Sequence, residues 1–162
     1  MSELLGTKVL LATDGSEGAE LATKSAVELA KSTGSELHVI YVEPMADFIK
    51  NGDGAPGYDH QLYKMIEAEG QETLRKFTWR VKVAGGSVVE AHLRIGPVTE
   101  EIVGLADELE VGLVVMGSRG LGRIRRALTG SVSESVFRHA HCPVMVVCAK
   151  DNPPSQRGGD HV

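Results

Sequence analysis

Apolar positions along this chain alternate between a strand-like and a helix-like rhythm. Lys8-Val9-Leu10-Leu11-Ala12 is a short apolar run closed by Thr13-Asp14-Gly15-Ser16, which reads as a buried strand. Ala19, Ala22, Ala26, Leu29 and Ala30 then recur at helical spacing, with Asp14 or Ser16 available as the cap and Gly34 as the stop. Leu37 to Val42 is a second strand. Glu43 to Tyr58, containing "NGDGAPG", reads as a mobile loop. A long polar helix follows from about Asp59 to Ala84, with Leu62, Met65, Ile66, Leu74 and Phe77 on its inner side. Val89, Ala91, Leu93 and Ile95 alternate with Glu90, His92 and Arg94, which predicts a third strand with one face partly wet. Gly96-Pro97 opens a helix to about Leu109, since Pro suits the first helical turn. Val111 to Met116 is a fourth strand, apolar on both faces. Ser131-Val132-Ser133-Glu134 has the form of a capping box: the Ser oxygen accepts from the Glu134 N–H and the Glu134 carboxylate reaches back. A helix to about Ala140 and a fifth strand, Pro143 to Cys148, complete the pattern.

Strands alternating with helices predict an α/β fold with a parallel sheet covered on both faces. The first and fourth strands are apolar on both sides and belong in the centre. The third alternates and the fifth begins with Pro, which lacks a ladder donor, so both suit edges. Right-handed crossovers then give the strand order 3-2-1-4-5. The winding reverses between the first and fourth strands, and ligands of open α/β sheets sit at that switch point, outside the carboxyl ends of the strands.

Length and charge narrow the picture. The chain has 162 residues, which suits one domain over 1–149, with the polar tail 150–162 expected to be disordered. A formal net charge of −5 argues against a general affinity for nucleic acid. Cys142 and Cys148 have no CxxC spacing, so neither a disulfide scaffold nor a thiolate zinc site is expected. No apolar run is long enough to span a membrane and no secretory leader is evident, so a soluble cytoplasmic protein is expected.

The fourth strand runs into "MGSRGLGRIRRALTGS", residues 116–131, a segment of glycines and arginines that cannot pack a core. Two readings stand. Glycines let backbone N–H groups approach a phosphate, and the following helix start adds free N–H groups and the positive end of its dipole. Alternatively the glycines only turn the chain, Ser131 only caps, and Arg119, Arg123, Arg125 and Arg126 form a solvated face. The segment is neither a Walker A loop nor a GxGxxG fingerprint.

Gly117-x-x-Gly120, nine residues, then Gly130-Ser131 resembles the G-2x-G-9x-G-S/T signature of the ATP-binding universal stress proteins. "LLATDGSEGAE" at 10–20, "LHVIYVEP" at 37–44 and "HAHCPVMVV" at 139–147 are similar to the same family, so the resemblance spans roughly Lys8 to Cys148. It implies a Rossmann-like five-stranded domain that binds ATP, with Mg²⁺ brought by the nucleotide near Asp14. Asp14, with Thr13 beside it, would lie on the ribose and adenine side. Val42 would lend backbone groups to the adenine, and Met116 and Gly117 would lie against the sugar. Gly120, Gly130, Ser131, Val132 and Ser133 would hold the phosphates, with Arg119 at a variable position of the motif. Ala12 departs from relatives that carry Pro there. A homodimer through the 143–148 edge strand is expected, since an open apolar edge invites pairing with a second copy. A regulatory protein partner of unknown identity is also expected.

Other residues carry plainer readings. Asp14 suits a helix cap as well as a ligand contact. His38 and His92 read as satisfied sheet histidines. His139, His141 and Cys142 look metal-like, but no fourth ligand is near in sequence. Phe77 and Trp79 suit packing or a partner surface. The leading function is a nucleotide-dependent regulatory module in stress response. The alternatives are a slow ATPase, autophosphorylating or nucleotidyl-transfer enzyme using the same cleft, and a dimeric interaction protein with a vestigial site.

Overall fold

The apolar runs become five strands in a computed structural model that describes residues 8–14, 17–44, 60–118 and 131–148. In chain order these are β1 (Lys8–Thr13), α1 (Glu17–Thr33), β2 (Glu36–Glu43), α2 (His60–Val83), β3 (Val88–Ile95), α3 (Val98–Leu109), β4 (Leu113–Gly117), α4 (Ser131–His139) and β5 (Val144–Val147). All neighbouring strands are parallel, and the order is β3-β2-β1-β4-β5. This is the open Rossmann-like α/β sheet expected from the pattern, with β3 and β5 at its edges.

Alternation along the strands sorts the core into two layers. Val9, Leu11, Val39, Leu113 and Val115 pack on Ala22, Ala26 and Ala30 of α1 and on Leu74 and Val81 of α2. Leu10, Ala12, Ile40, Val114 and Met116 pack on Ile102, Leu105 and Ala106 of α3 and on Val136 of α4. The central strands are therefore apolar on both faces because helices cover both.

Local details follow from residue chemistry. Gly34 takes φ +68°, a left-handed stop for α1, and the Ser35 N–H returns to the Ala30 carbonyl. At the end of α3, Glu110 adopts φ 53°, and the Glu110 and Val111 N–H groups bond back to Asp107 and Ala106. That closure takes Val111 out of the expected strand. β4 starts at Leu113, and Val111 buries its side chain as the apolar plug of the helix end.

α2 corrects a second expectation. Gly70, Leu74, Phe77 and Val81 are its buried positions, whereas Met65 is 61% exposed. A 24-residue helix spans about 36 Å, against about 26 Å for an eight-residue strand, so its first turns overrun the sheet. Phe77 belongs to the core, and Trp79 is exposed. Most of the expected loop (45–58) and the tail fall outside the described residues.

Candidate functional site

β1 and β4 are neighbours, and the chain leaves them in opposite directions, through α1 toward β2 and through α4 toward β5. The crossovers separate and leave a crevice at the carboxyl ends of the two strands. Ala12 stands opposite Met116, and Thr13 and Gly117 follow as the last residues of their strands, with Asp14 and Ser118 next in the chain. Asp14 is exposed, Thr13 and Gly117 are half-buried, and Met116 is buried.

The far wall is the first turn of α4. Ser133 is 3% exposed, and its hydroxyl donates to the Gly117 carbonyl at 2.8 Å. The Ser118 N–H bonds to the Val147 carbonyl, which ties the end of β4 to β5. The amino end of α4 is thus fastened over the end of β4. Ser131 is exposed and Val132 half-buried at the helix start. Free first-turn N–H groups and the helix dipole make such a position favourable for an anion.

The capping box is not formed as expected. The Glu134 carboxylate accepts from Arg138 at 2.7 Å, one turn further along, and Ser131 already lies in the helix. A guanidinium at i+4 offers that carboxylate a charged partner.

Thr13, Asp14, Met116 and Gly117 therefore lie at the carboxyl ends of β1 and β4, Ser133 is joined to Gly117, and Ser131 and Val132 share its helix turn. Val42 lies at the end of β2, buried and in register with Arg94 of β3, one strand away from β1. Arg119, Gly120 and Gly130 lie outside the described residues, as do Arg123, Arg125 and Arg126.

One rim feature escaped the sequence reading. Tyr41 stands opposite Thr13, and its hydroxyl donates to Glu43 at 3.0 Å. Burial, then the Glu43 hydrogen bond and charge, push the Tyr41 hydroxyl up to about 12, against a weaker opposing bond to Thr73. The Asp14 charge acts in the same direction as Glu43. The signal was present as Tyr-x-Glu, two residues that share one face of a strand.

His139, His141 and Cys142 lie at the opposite end of the sheet. The His139 Nδ1 is 2.8 Å from the Ser135 carbonyl, and the His141 Nδ1 is 3.1 Å from the Asp107 carboxylate. Burial, then the Asp107 charge, raise the Cys142 thiol. His38 and His92, by contrast, meet at 3.3 Å.

An open doubly wound sheet with a crevice at its strand switch point defines the class of Rossmann-like α/β proteins that take ligands at the carboxyl edge. The universal stress protein family model matches residues 7–148, and the chain belongs to that family. It is 35% identical over 145 residues to universal stress protein MJ0531 of Methanocaldococcus jannaschii, covering 90% of this chain and 84% of that one. The solved structure of hypothetical protein MJ0577 aligns with a TM-score of 0.71 at 26% identity, over 91% of this chain and 99% of that one. A universal stress protein solved in complex with cAMP aligns at 0.66 and 25% identity, over 87% and 96%. The Archaeoglobus fulgidus universal stress protein in complex with dAMP aligns at 0.62 and 26% identity, over 88% and 98%. Among the described residues no helix is long and apolar enough to cross a membrane.

Proposed function

We propose that this protein binds ATP, accompanied by Mg²⁺, in the β1/β4 crevice and acts as a nucleotide-dependent regulatory module. The observation that carries this reading is the Ser133–Gly117 hydrogen bond, which fixes the amino end of α4 at the switch point. The glycine spacing 117, 120, 130 of the signature motif supports the same reading. That family members were solved with cAMP and dAMP supports an adenine nucleotide as the ligand class. In this reading Asp14 and Thr13 face the sugar, Val42 the base, and Ser131 to Ser133 the phosphates, with Arg119, Gly120 and Gly130 completing the cradle.

A cradle that holds ground state and transition state equally gives no rate gain. Glu134 is engaged by Arg138 and the Ser133 hydroxyl by Gly117, which favours holding ATP over activating water. Turnover is expected far below the ~10 s⁻¹ of a median enzyme. Calorimetric titration with MgATP tests the site. Wild-type protein should bind, and folded Gly130→Val should not, because its side chain blocks phosphate approach. Equal affinity in both would remove the site assignment. Turnover of several per second in a phosphate-release assay, abolished in Gly130→Val, would make the protein an enzyme instead.

A further inference from the structure

On the β2–β3 edge, on the sheet face covered by α3, His38 and His92 converge with two carboxylates. We propose that His38, His92 and Glu90 bind one divalent transition-metal ion of the zinc type, with Glu36 orienting His38. The site is separate from the crevice and does not depend on the nucleotide reading.

Register creates it. Leu37 stands opposite Val88, but His38 stands opposite Glu90, so β3 carries one extra residue at that point. Side chains alternate between sheet faces. In unbroken register Glu90 and His92 would face α2. The irregularity turns both onto the His38 face, as bulges do where a strand must re-aim a side chain. The exposed Val89 is the residue that is skipped.

Distances suit a metal. Two zinc–nitrogen bonds of about 2.0–2.1 Å at a tetrahedral angle separate the nitrogens by about 3.3–3.4 Å. The His38 Nδ1 and His92 Nε2 are 3.3 Å apart. The Glu90 carboxylate is 3.8 Å from the His92 Nε2, and all three donor atoms lie within 4.8 Å of one another. Two imidazoles, one carboxylate and water make a four-coordinate set that zinc accepts. The His38 Nε2 faces Glu36 at 3.5 Å, the carboxylate–histidine pairing that fixes the ring of a metal ligand.

The surroundings suit a cation. Both rings are largely buried, while Glu36 and Glu90 are half or more exposed, so an ion arrives past two carboxylates. Arg94 shares this face, but its guanidinium is held by Glu108 at 2.7 Å and lies 4.0 Å from Glu101. Without metal, one ring nitrogen donates to the other. With His38 holding its proton on Nε2 toward Glu36, the donor is His92 Nε2. Binding moves the His92 proton to Nδ1 and frees the Nε2 lone pair, with no net proton lost from the two rings.

The test is titration of tag-free, chelator-stripped protein with Zn²⁺ alone, followed calorimetrically, and with Co²⁺, followed by visible absorption. One ion per chain and a tetrahedral Co²⁺ spectrum are expected. His38→Gln and His92→Gln should each weaken Zn²⁺ at least tenfold, and Glu36→Gln by about 10–100-fold. His38 is buried, so Glu90→Gln, on an exposed side chain, guards against a folding failure and should also lose at least tenfold. No saturable binding in the wild type, or wild-type affinity in folded Glu90→Gln or His92→Gln, would overturn the site.

Discussion

Replacing Ser133 with Ala tests how the crevice is held together. The side chain is buried, and its O–H···O bond to Gly117 has near-ideal length. Deleting the hydroxyl leaves the half-buried Gly117 carbonyl without this donor, at a cost of about 1–3 kcal/mol. Ala is the better helix former by roughly half a kcal/mol, which offsets part of the loss. The net expectation is a loss of about 1–2 kcal/mol, read as a lower urea midpoint at unchanged m-value. In heat the midpoint should fall by about 2–4 °C per kcal/mol for a chain of this size. Affinity for MgATP should fall about tenfold, or ~1.4 kcal/mol, because the helix end loses its tether. Ser131→Ala is the control. Ser131 is exposed at the helix start, so affinity should fall with a stability change of at most about 0.5 kcal/mol. If Ser133→Ala matched the wild type in both urea midpoint and affinity, the hydrogen bond would neither tether α4 nor shape the crevice.

Three further expectations follow from the same structure. In a spectrophotometric alkaline titration, one of the three tyrosines should ionise late, near pH 12, and Tyr41→Phe should remove that component. Because the folded value is raised, the Tyr41 contribution to stability is complete below pH 10 and is lost as pH rises toward 12; simultaneous ionisation of all three would contradict its burial. Gly86→Ala should cost about 1–3 kcal/mol in urea unfolding. Its Cβ would lie 2.7 Å from Val27 Cγ2, 2.9 Å from Val81 Cγ1 and 3.2 Å from the Val81 carbonyl, so a wild-type midpoint would refute this packing. For the proposed homodimer, Val146→Pro is a more direct probe than a charge at Met145: both side chains pack against the core, but Pro also removes a backbone donor. The Pro143 and Val147 carbonyls serve β4, so by alternation the Val146 N–H faces the open edge. Its loss should shift the protein toward monomer in light scattering, and an unchanged dimer would place the interface elsewhere.

Much of this fold was legible because buried strands and amphipathic helices leave different periods. The two-sided apolar runs at Leu10 and Val114 placed β1 and β4 centrally, and that placement located the switch point. Met65 was misplaced because helical spacing tells which face a residue takes but not how far the helix outruns the sheet. Val111 was misplaced because an apolar residue that plugs a helix end looks like the start of a strand. The Glu134 carboxylate was misassigned because its spacing suits both a capping box and an i,i+4 ion pair with Arg138. The convergence of His38, Glu90 and His92 was hidden entirely. Strict alternation sets Glu90 and His92 on one face of β3, but only the register shift beside Leu37 joins that face to His38.

The proposed function stands or falls on nucleotide sitting at the β1/β4 crevice. Backbone amide NMR of the assigned protein titrated with MgATP tests it most directly. The largest shifts are predicted at Thr13, Asp14, Met116 to Ser118 and Ser131 to Ser133. Saturation with those amides unmoved, or with shifts confined to another surface such as the β3 edge, would contradict it.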